Sequence, residues 1–265
     1  MSTFTKNILA QYGTPSNLEA RIHLHEKYST NKYGWMPWLF DQLPDVPRGS
    51  ILDLGCGTGL LWSKNLHRLL DNWKVTLCDL SIGMLKAARA STSALRNRLH
   101  FVACDIERLP FSSNSFTTVI ANHMLYHVPD LDLALSEVRR ILIPGGCFCA
   151  STNGLNHMNE IDTIIADFTG DRKPSKRELP FSLSNGSDIL NSYFSSVELR
   201  IYHDSLSVSD ACPLLEYIFS CHISETLQTV RNDFLNYLED LIDKNGSLHI
   251  TKESGLFLAV NNKDT

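Results

Sequence analysis

A doubly wound α/β sheet, mostly parallel and covered by helices on both faces, is the fold this sequence predicts. Between residues 50 and 153, short apolar runs of strand length alternate with runs of helical spacing. The first of these strands ends in a glycine-rich turn, and three successive strands close on an acid. A helical segment precedes this core, and a helical insertion lies near the C-terminus.

The elements follow in order. SILDLG is a short apolar strand, and LLWSKNLHRLL carries Trp62, Leu66, Leu69 and Leu70 at helical spacing. VTLCDL is the second strand. SIGMLKAARAST follows as a helix that Ser81 can cap, with Leu85 and Ala88 inward. LHFVACDI is the third strand and FTTVIANHML the fourth. After Asp130 a helix places Leu131, Leu135, Val138 and Leu142 on one face, and CFCAST, entered through Pro144-Gly145-Gly146, is the fifth strand.

The flanks read differently. Residues 18 to 44 give a helix, a loop carrying Tyr28, Tyr33 and Trp35, and a second helix ended by Pro44. MNEIDTIIADFTG is an amphipathic helix and GDRKPSKRELPFSLSNG a polar loop. YFSSVELRIYHDSLSV is a long strand and GLFLAVNN the last one. Between them, about 209 to 246, helices are inserted with Leu215, Ile218 and Phe219 on one face, suited to roofing a pocket or to forming a dimer surface. The division is thus 1–48 as a helical cap and 49–265 as the main domain.

Composition narrows the function. The 265 residues are 43% hydrophobic, and 24 basic against 29 acidic side chains give a net charge of −5 without any long block of one sign. Nucleic acid is a poor partner for such a surface. MSTFTKNILAQYG has neither a basic nor an apolar leader region, and no stretch approaches the roughly 18 apolar residues of a bilayer span. The expectation is a cytoplasmic protein without membrane contact, monomeric or homodimeric. Seven cysteines without C-x-x-C argue against a disulfide framework or a zinc ribbon, so Cys56, Cys78, Cys104, Cys147 and Cys149 read as small strand hydrophobes and no metal is expected. Cys147 and Cys149 share one strand face.

The glycine turn carries the chemistry. A turn leading from the carboxyl end of a first strand into a helix lets backbone approach a ligand without Cβ interference, and in open α/β sheets ligands sit at that end. Gly55, Gly57 and Gly59 run G-C-G-T-G with Asp53 two residues ahead, whereas the dinucleotide fingerprint is G-x-G-x-x-G. Pyrophosphate binding is thereby disfavoured. Asp79 ends the second strand at the interval where a carboxylate accepts from ribose hydroxyls, and Asp105 closes the third. Asp53 and Asp105 also suit the capping of local turns, and Leu80 and Met84 can be buried in any such fold.

ILDLGCGTG at 51 to 59, LCDLSIGML, CDIERLPF, VIANHMLYHVPD and EVRRILIPGG together closely resemble the class I S-adenosylmethionine-dependent methyltransferases, of the small-molecule branch that includes ubiquinone and natural-product enzymes. The resemblance implies a Rossmann-like seven-stranded sheet whose last two strands pair antiparallel at the edge. It implies that Asp53, Gly55, Cys56 and Gly57 surround the amino-acid end of the cofactor and that Asp79 holds the ribose. Leu80 and Met84 then lie against the adenine, with Asp105 and the backbone of Ile106 at its edge. Asn122 lies under the methionine moiety or at the start of the substrate pocket. His123 and His127 are the catalytic candidates, His123 as base or orienting group and His127 as a loop anchor. Tyr28, Tyr33, Trp35 and Tyr126 are the pocket or lid candidates, since aromatic faces attract a sulfonium, although Trp35 and Trp38 also suit plain packing.

The reaction expected is methyl transfer to an O, N or C nucleophile of a small molecule, in secondary metabolism, with S-adenosylhomocysteine as product. No N/D-P-P-Y/F sequence follows the fourth strand, so the amino-methylation motif for DNA bases is missing. Two other readings stand beside it: a protein that keeps the fold and cofactor but catalyses another reaction such as cyclisation, and a nicotinamide-dependent oxidoreductase. The latter is disfavoured by the glycine spacing.

Overall fold

The computed structural model describes residues 13–46, 48–95, 98–171, 179–221 and 225–262. The amino-terminal stretch read for a leader, and the middle of the polar loop at 172–178, lie outside the described residues.

β1 (Ser50–Leu54) sits between β2 (Lys74–Asp79) and β4 (Phe116–Asn122), parallel to both. β3 (Leu99–Ala103) pairs parallel with β2, and β5 (Leu142–Asn153) pairs parallel with β4. β6 (Ser196–Val208) and β7 (Leu248–Asn261) complete a seven-stranded sheet in the order β3-β2-β1-β4-β5-β7-β6. β7 runs antiparallel to both its neighbours, as the expected edge pair requires. Strand order reverses between β1 and β4, and that switch point opens a crevice at the carboxyl ends of the parallel strands.

Local chemistry sets the helix starts. Ser81 Oγ accepts the Met84 N–H at 3.3 Å to begin α4 (Ile82–Ser91), and Asp130 Oδ1 accepts the Leu133 N–H at 2.9 Å to begin α5 (Leu131–Ile141). Preceding them, α1 (Ser16–Tyr28), α2 (Trp35–Asp41) and α3 (Leu60–Lys64) lie before β2. After β5 come α6 (Asn159–Thr169) and α7 (Gly186–Asn191). The insertion between β6 and β7 holds α8 (Ala211–Ser220), α9 (Glu225–Thr229) and α10 (Arg231–Asn245).

Three apolar clusters hold these layers. One, around Val119, Leu135 and Phe148, packs α5 under one face of the sheet; another, around Trp62, Leu77 and Ile120, packs α2 to α4 on the other. The third joins Leu24 of α1 to Leu214, Phe234 and Ile250, so the amino-terminal helix and the insertion share one core.

Three expectations are corrected. The helix after the glycine turn is short: the Asn65 amide donates to Leu61 O at 2.8 Å and Met36 O at 3.2 Å, the backbone leaves the helix there, and a 3₁₀ turn follows at Leu66–Arg68. Leu70 is consequently exposed rather than inward. The last strand begins at Leu248, seven residues before GLFLAVNN, because its first half pairs with the far half of the long β6. Cys78 and Cys104 are not isolated thiols but are joined as a disulfide, with Cα atoms 6.2 Å apart. Parallel pairing of β2 and β3 brings the two strand ends together, and no short-range cysteine spacing announces it. Cys147 and Cys149 do share a face, with their sulfurs 3.9 Å apart, and among the described residues no group of three or more His, Cys, Asp or Glu gathers as a metal site.

Candidate active site

A cavity of about 1380 Å³ opens at the switch point, and it has two ends of different chemistry. Ligand pockets commonly measure about 300–1,000 Å³, so this one has room for two ligands.

The first end is built by the glycine turn. Gly55 and Gly57 hold φ angles of +64° and +55°, in the left-handed region. A Cβ would lie 3.0 Å from the Met124 side chain at Gly55 and 3.1 Å from Leu18 at Gly57, so the bare backbone is also a steric requirement. Asp79 fixes the turn from the next strand: its carboxylate accepts the Gly57 N–H at 2.9 Å and the Ser81 N–H at 2.8 Å. Burial raises its pKa, and these two donors oppose the rise. Each carboxylate has about four acceptor positions, so Asp79 keeps capacity for ligand hydroxyls.

Asp53 is more revealing. It is 2% exposed, and one oxygen accepts the Trp62 indole N–H at 2.8 Å while the other, Oδ1, has no partner. Burial, with the Asp79 charge adding to it, raises the pKa of Asp53 to about 7. An acid this buried and half-satisfied is suited to a cationic ligand group that supplies the missing donor. Its position beside a glycine cradle fits the ammonium end of an amino acid. Met84, Leu80 and Ile106 line the same wall and give an adenine-sized ring an apolar surface, with Asp105 at its rim. Asp105 Oδ1 also accepts the Glu107 N–H at 3.0 Å, so it caps its turn as well. The residues present therefore fit S-adenosylmethionine.

Where the two ends meet stand Asn122 and His123, from the end of β4. Asn122 Oδ1 accepts both the Trp35 indole N–H at 3.0 Å and the Ser151 hydroxyl at 2.8 Å, tying α2 to the sheet. His123 holds a φ of +54°, uncommon for a non-glycine residue, and its ring lies against Trp35 with centroids 4.9 Å apart. Its Nδ1 is buried without a partner, and burial, with Lys252 adding a smaller effect, depresses its pKa to about 3. It is therefore a neutral hydrogen-bonding group and a weak proton acceptor at neutral pH.

The expected residues are mostly gathered. Asp53, Gly55, Cys56, Gly57, Asp79 and Asn122 line the cavity, as do Tyr33, Trp35, Tyr126 and His127. Tyr33 is half-exposed and donates to Asp41 at 2.5 Å, at the mouth. His127 rests edge-on against Tyr126 and donates its backbone N–H to Met124 O at 2.9 Å, which holds the loop. Tyr28 is the exception: it is buried in the core shared by α1 and the insertion, not at the cavity, because it lies on the helix rather than in the loop after it.

Residues 52–150 match the family model described as methyltransferase domain. The matched segment runs from β1 into β5, the parallel part of the sheet. Curated relatives of this domain include malonyl-acyl-carrier protein O-methyltransferase of Legionella pneumophila, 33% identical over 113 residues, which are 43% of this chain and 39% of that protein. A ubiquinone/menaquinone biosynthesis C-methyltransferase of Desulfotalea psychrophila is 34% identical over 119 residues, 44% of this chain and 47% of that one. The matches thus span less than half the length of these relatives. Among solved structures, Haemonchus contortus phosphoethanolamine N-methyltransferase 2, in complex with S-adenosyl-L-methionine, superposes with a TM-score of 0.61 at 18% identity, covering 99% of this chain and 61% of that one. At that identity the likeness is one of fold.

The opposite end of the cavity escaped the motif reading. Arg21 and His25 reach it from α1, His157 from the β5–α6 connection, Lys252 from β7 and Tyr217 from α8. Only Arg21 and His25 left a trace in the sequence, four residues apart and so on one helix face. The structure brings the insertion to this wall through Tyr217 and Cys221, where a roof was one of its two expected roles.

Proposed function

We propose that the protein binds S-adenosylmethionine at the glycine-turn end and transfers its methyl group to an O, N or C nucleophile of a small molecule at the other. The observation that carries this reading is the continuity of one cavity from the partnerless Asp53 carboxyl oxygen to the far wall beyond His123. In this scheme residues 1–48 serve as the cap and 49–265 as the catalytic domain. No helix among the described residues is long and apolar enough to cross a membrane. A cytoplasmic setting, a role in secondary metabolism, no nucleic-acid partner and a monomeric or dimeric state belong to the same proposal.

The cofactor, when bound, supplies an activated methyl on a good leaving group, so the chain has to align, desolvate and orient. Asp53 would hold the ammonium and Asp79 the ribose hydroxyls. Met84, Leu80 and Ile106 would seat the adenine. Asn122 and Trp35, locked to each other, would form the wall beside the reacting atoms and keep water out. His123, neutral and lacking a partner at Nδ1, would accept a hydrogen bond from the acceptor's O–H or N–H and turn its lone pair toward the methyl. That is an orienting role, since a conjugate acid of pKa about 3 gives little driving force for full proton removal.

Incubation of candidate metabolites with methyl-labelled S-adenosylmethionine, read by mass spectrometry, tests the proposal. Label on a small molecule is expected. Label retained on the cofactor while a metabolite is converted would instead show a non-methylating reaction such as cyclisation, and binding of a nicotinamide cofactor in its place would show an oxidoreductase.

A further inference from the structure

β6 is an outermost strand of the sheet, and the two halves of its free edge differ. The second half is covered by the cap: Ser29 bridges Leu206, Thr30 donates its N–H to Ser205 O at 2.9 Å, and the Asn31 side-chain amide donates to His203 O at 3.0 Å. The first half, residues 196–202, has no strand or bridge beyond it among the described residues. It carries Leu199 and Ile201, 36% and 43% exposed, and it contains neither Pro nor Lys. An edge without such guards is a template for pairing with another strand.

Backbone direction shows which groups this edge offers. In an antiparallel strand the N–H and C=O of one residue point to the same side, and successive residues alternate. His203 O and Ser205 O both face the cap, so Val197, Leu199 and Ile201 likewise turn their N–H and C=O groups away from β7. An antiparallel copy of the strand centred on Leu199 meets all of them: Leu199 opposes its own copy, and Val197 opposes Ile201. The same register sets Glu198 opposite Arg200 of the other copy, twice, at the closely spaced positions between the hydrogen-bonded pairs. Within one chain Arg200 Nε donates to Glu198 Oε1 at 2.8 Å and Nη1 to Gln42 Oε1 at 2.9 Å, so acid and base already lie on one face of the sheet.

We propose that two copies of the chain join through residues 196–202, as antiparallel edge strands related by a twofold axis at Leu199, into one continuous sheet. A second copy is the occupant because the strand complements itself: acid meets base, and Val197, Leu199 and Ile201 meet one another. Both limits of the ladder are set by the fold. The cap takes over the edge at His203, and at the other limit Ser195 donates its N–H inward to Val260 O at 3.1 Å. This interface goes beyond the methyl-transfer reading and does not depend on it.

Sedimentation velocity of the full chain over a concentration series tests this, and a reversible equilibrium between monomer and dimer is expected. Leu199→Pro removes an outward N–H that β7 does not use, so β6 keeps its own ladder. The dimer loses two hydrogen bonds and should dissociate about tenfold more readily. Arg200→Glu makes both cross-strand pairs repulsive and should weaken association about tenfold, and adding Glu198→Arg to it should restore the dimer. An unchanged circular dichroism spectrum reports that each variant is folded; should Leu199→Pro not fold, the charge exchange decides alone. A monomer at every concentration, a dimer indifferent to the single variants, or a charge exchange that restores nothing overturns the proposal. A dimer formed through the helical insertion would be indifferent in that way.

Discussion

The two ends of the cavity are made in different ways. The glycine-turn end comes from three neighbouring strand ends and is lined by acids, with Asp53 inside the end of the first strand, Asp79 closing the second and Asp105 just after the third. The far end comes from α1, the β5–α6 connection, α8 and β7, and is lined by Arg21, His25, His157 and Lys252. Short-range backbone geometry builds the first, while long-range packing of a cap and an insertion builds the second. A cofactor of fixed chemistry suits a site written into a turn. An acceptor that differs from enzyme to enzyme suits a site borrowed from segments outside the sheet's parallel core.

The largest expected effect lies at the glycine-turn end. Asp79→Ala removes a carboxylate that also anchors the Gly57 N–H, and hydrogen bonds to charged groups contribute about 1.5–3 kcal/mol each. S-adenosylmethionine affinity measured by calorimetry should fall by about one to two decades. An unchanged affinity in a folded variant removes Asp79 from the site and erases the distinction between the two ends.

Next in size is the acid that lacks a partner. Folding raises the pKa of Asp53 from 3.8 to about 7, so the folded state keeps a proton that the unfolded chain has lost between those values. Its contribution should therefore make the ligand-free protein less stable as pH rises through that window, by up to about 1.4 kcal/mol per pH unit. His25 and His123, with depressed values, act oppositely below about pH 6.5, the ordinary histidine pKa. The diagnostic is therefore the difference from Asp53→Asn in thermal unfolding between pH 4 and 8, where the variant should lose the Asp53 slope. Binding an ammonium should ionise Asp53, so cofactor binding at pH 6 should release about one proton, read as a buffer-dependent enthalpy. Identical enthalpies across buffers would place the ammonium elsewhere.

At the junction of the two ends the expected effect is smaller. His123→Asn should lower turnover by about tenfold, within the range for lost orientation and below a full general-base loss of about 10²–10⁴. Single-turnover rates from pH 5 to 9 should show no imidazole inflection in either protein, and an inflection near 6.5 that vanishes in the variant would restore the base role. His127→Asn should change the rate by less than about twofold, because its observed part is to hold the loop beside Tyr126.

The smallest expected signal is dynamic. If the insertion roofs the far end through Tyr217 and Cys221, its amides should exchange more slowly with cofactor and product bound than without them. Equal protection in both states would assign the shared core of α1 and α8 to static packing or to a dimer surface.

The same contrast explains what was legible in the sequence. ILDLGCGTG disclosed β1, its turn and the approach surface together, because positive φ at Gly55 and Gly57 is a local demand that glycine answers. Asp79 and Asp105 were legible because each closes or follows its strand. The Asn65 break in the first helix was not, since its amide bonds to Met36 in a segment read as separate. Neither was the far end: His157 and Lys252 are 95 residues apart in the chain and meet only because β7 returns beside β5. Tyr28 illustrates the reverse error, an aromatic suited to a lid that the shared core of α1 and the insertion absorbed.

A crystal structure of the protein with S-adenosylhomocysteine tests the two-ended cavity most directly. The account predicts the amino-acid end of the ligand beside Asp53, its ribose at Asp79 and its sulfur near His123, with the far end of the cavity left open. S-adenosylhomocysteine bound at the far wall, with the Gly55–Gly57 backbone left bare, would contradict it.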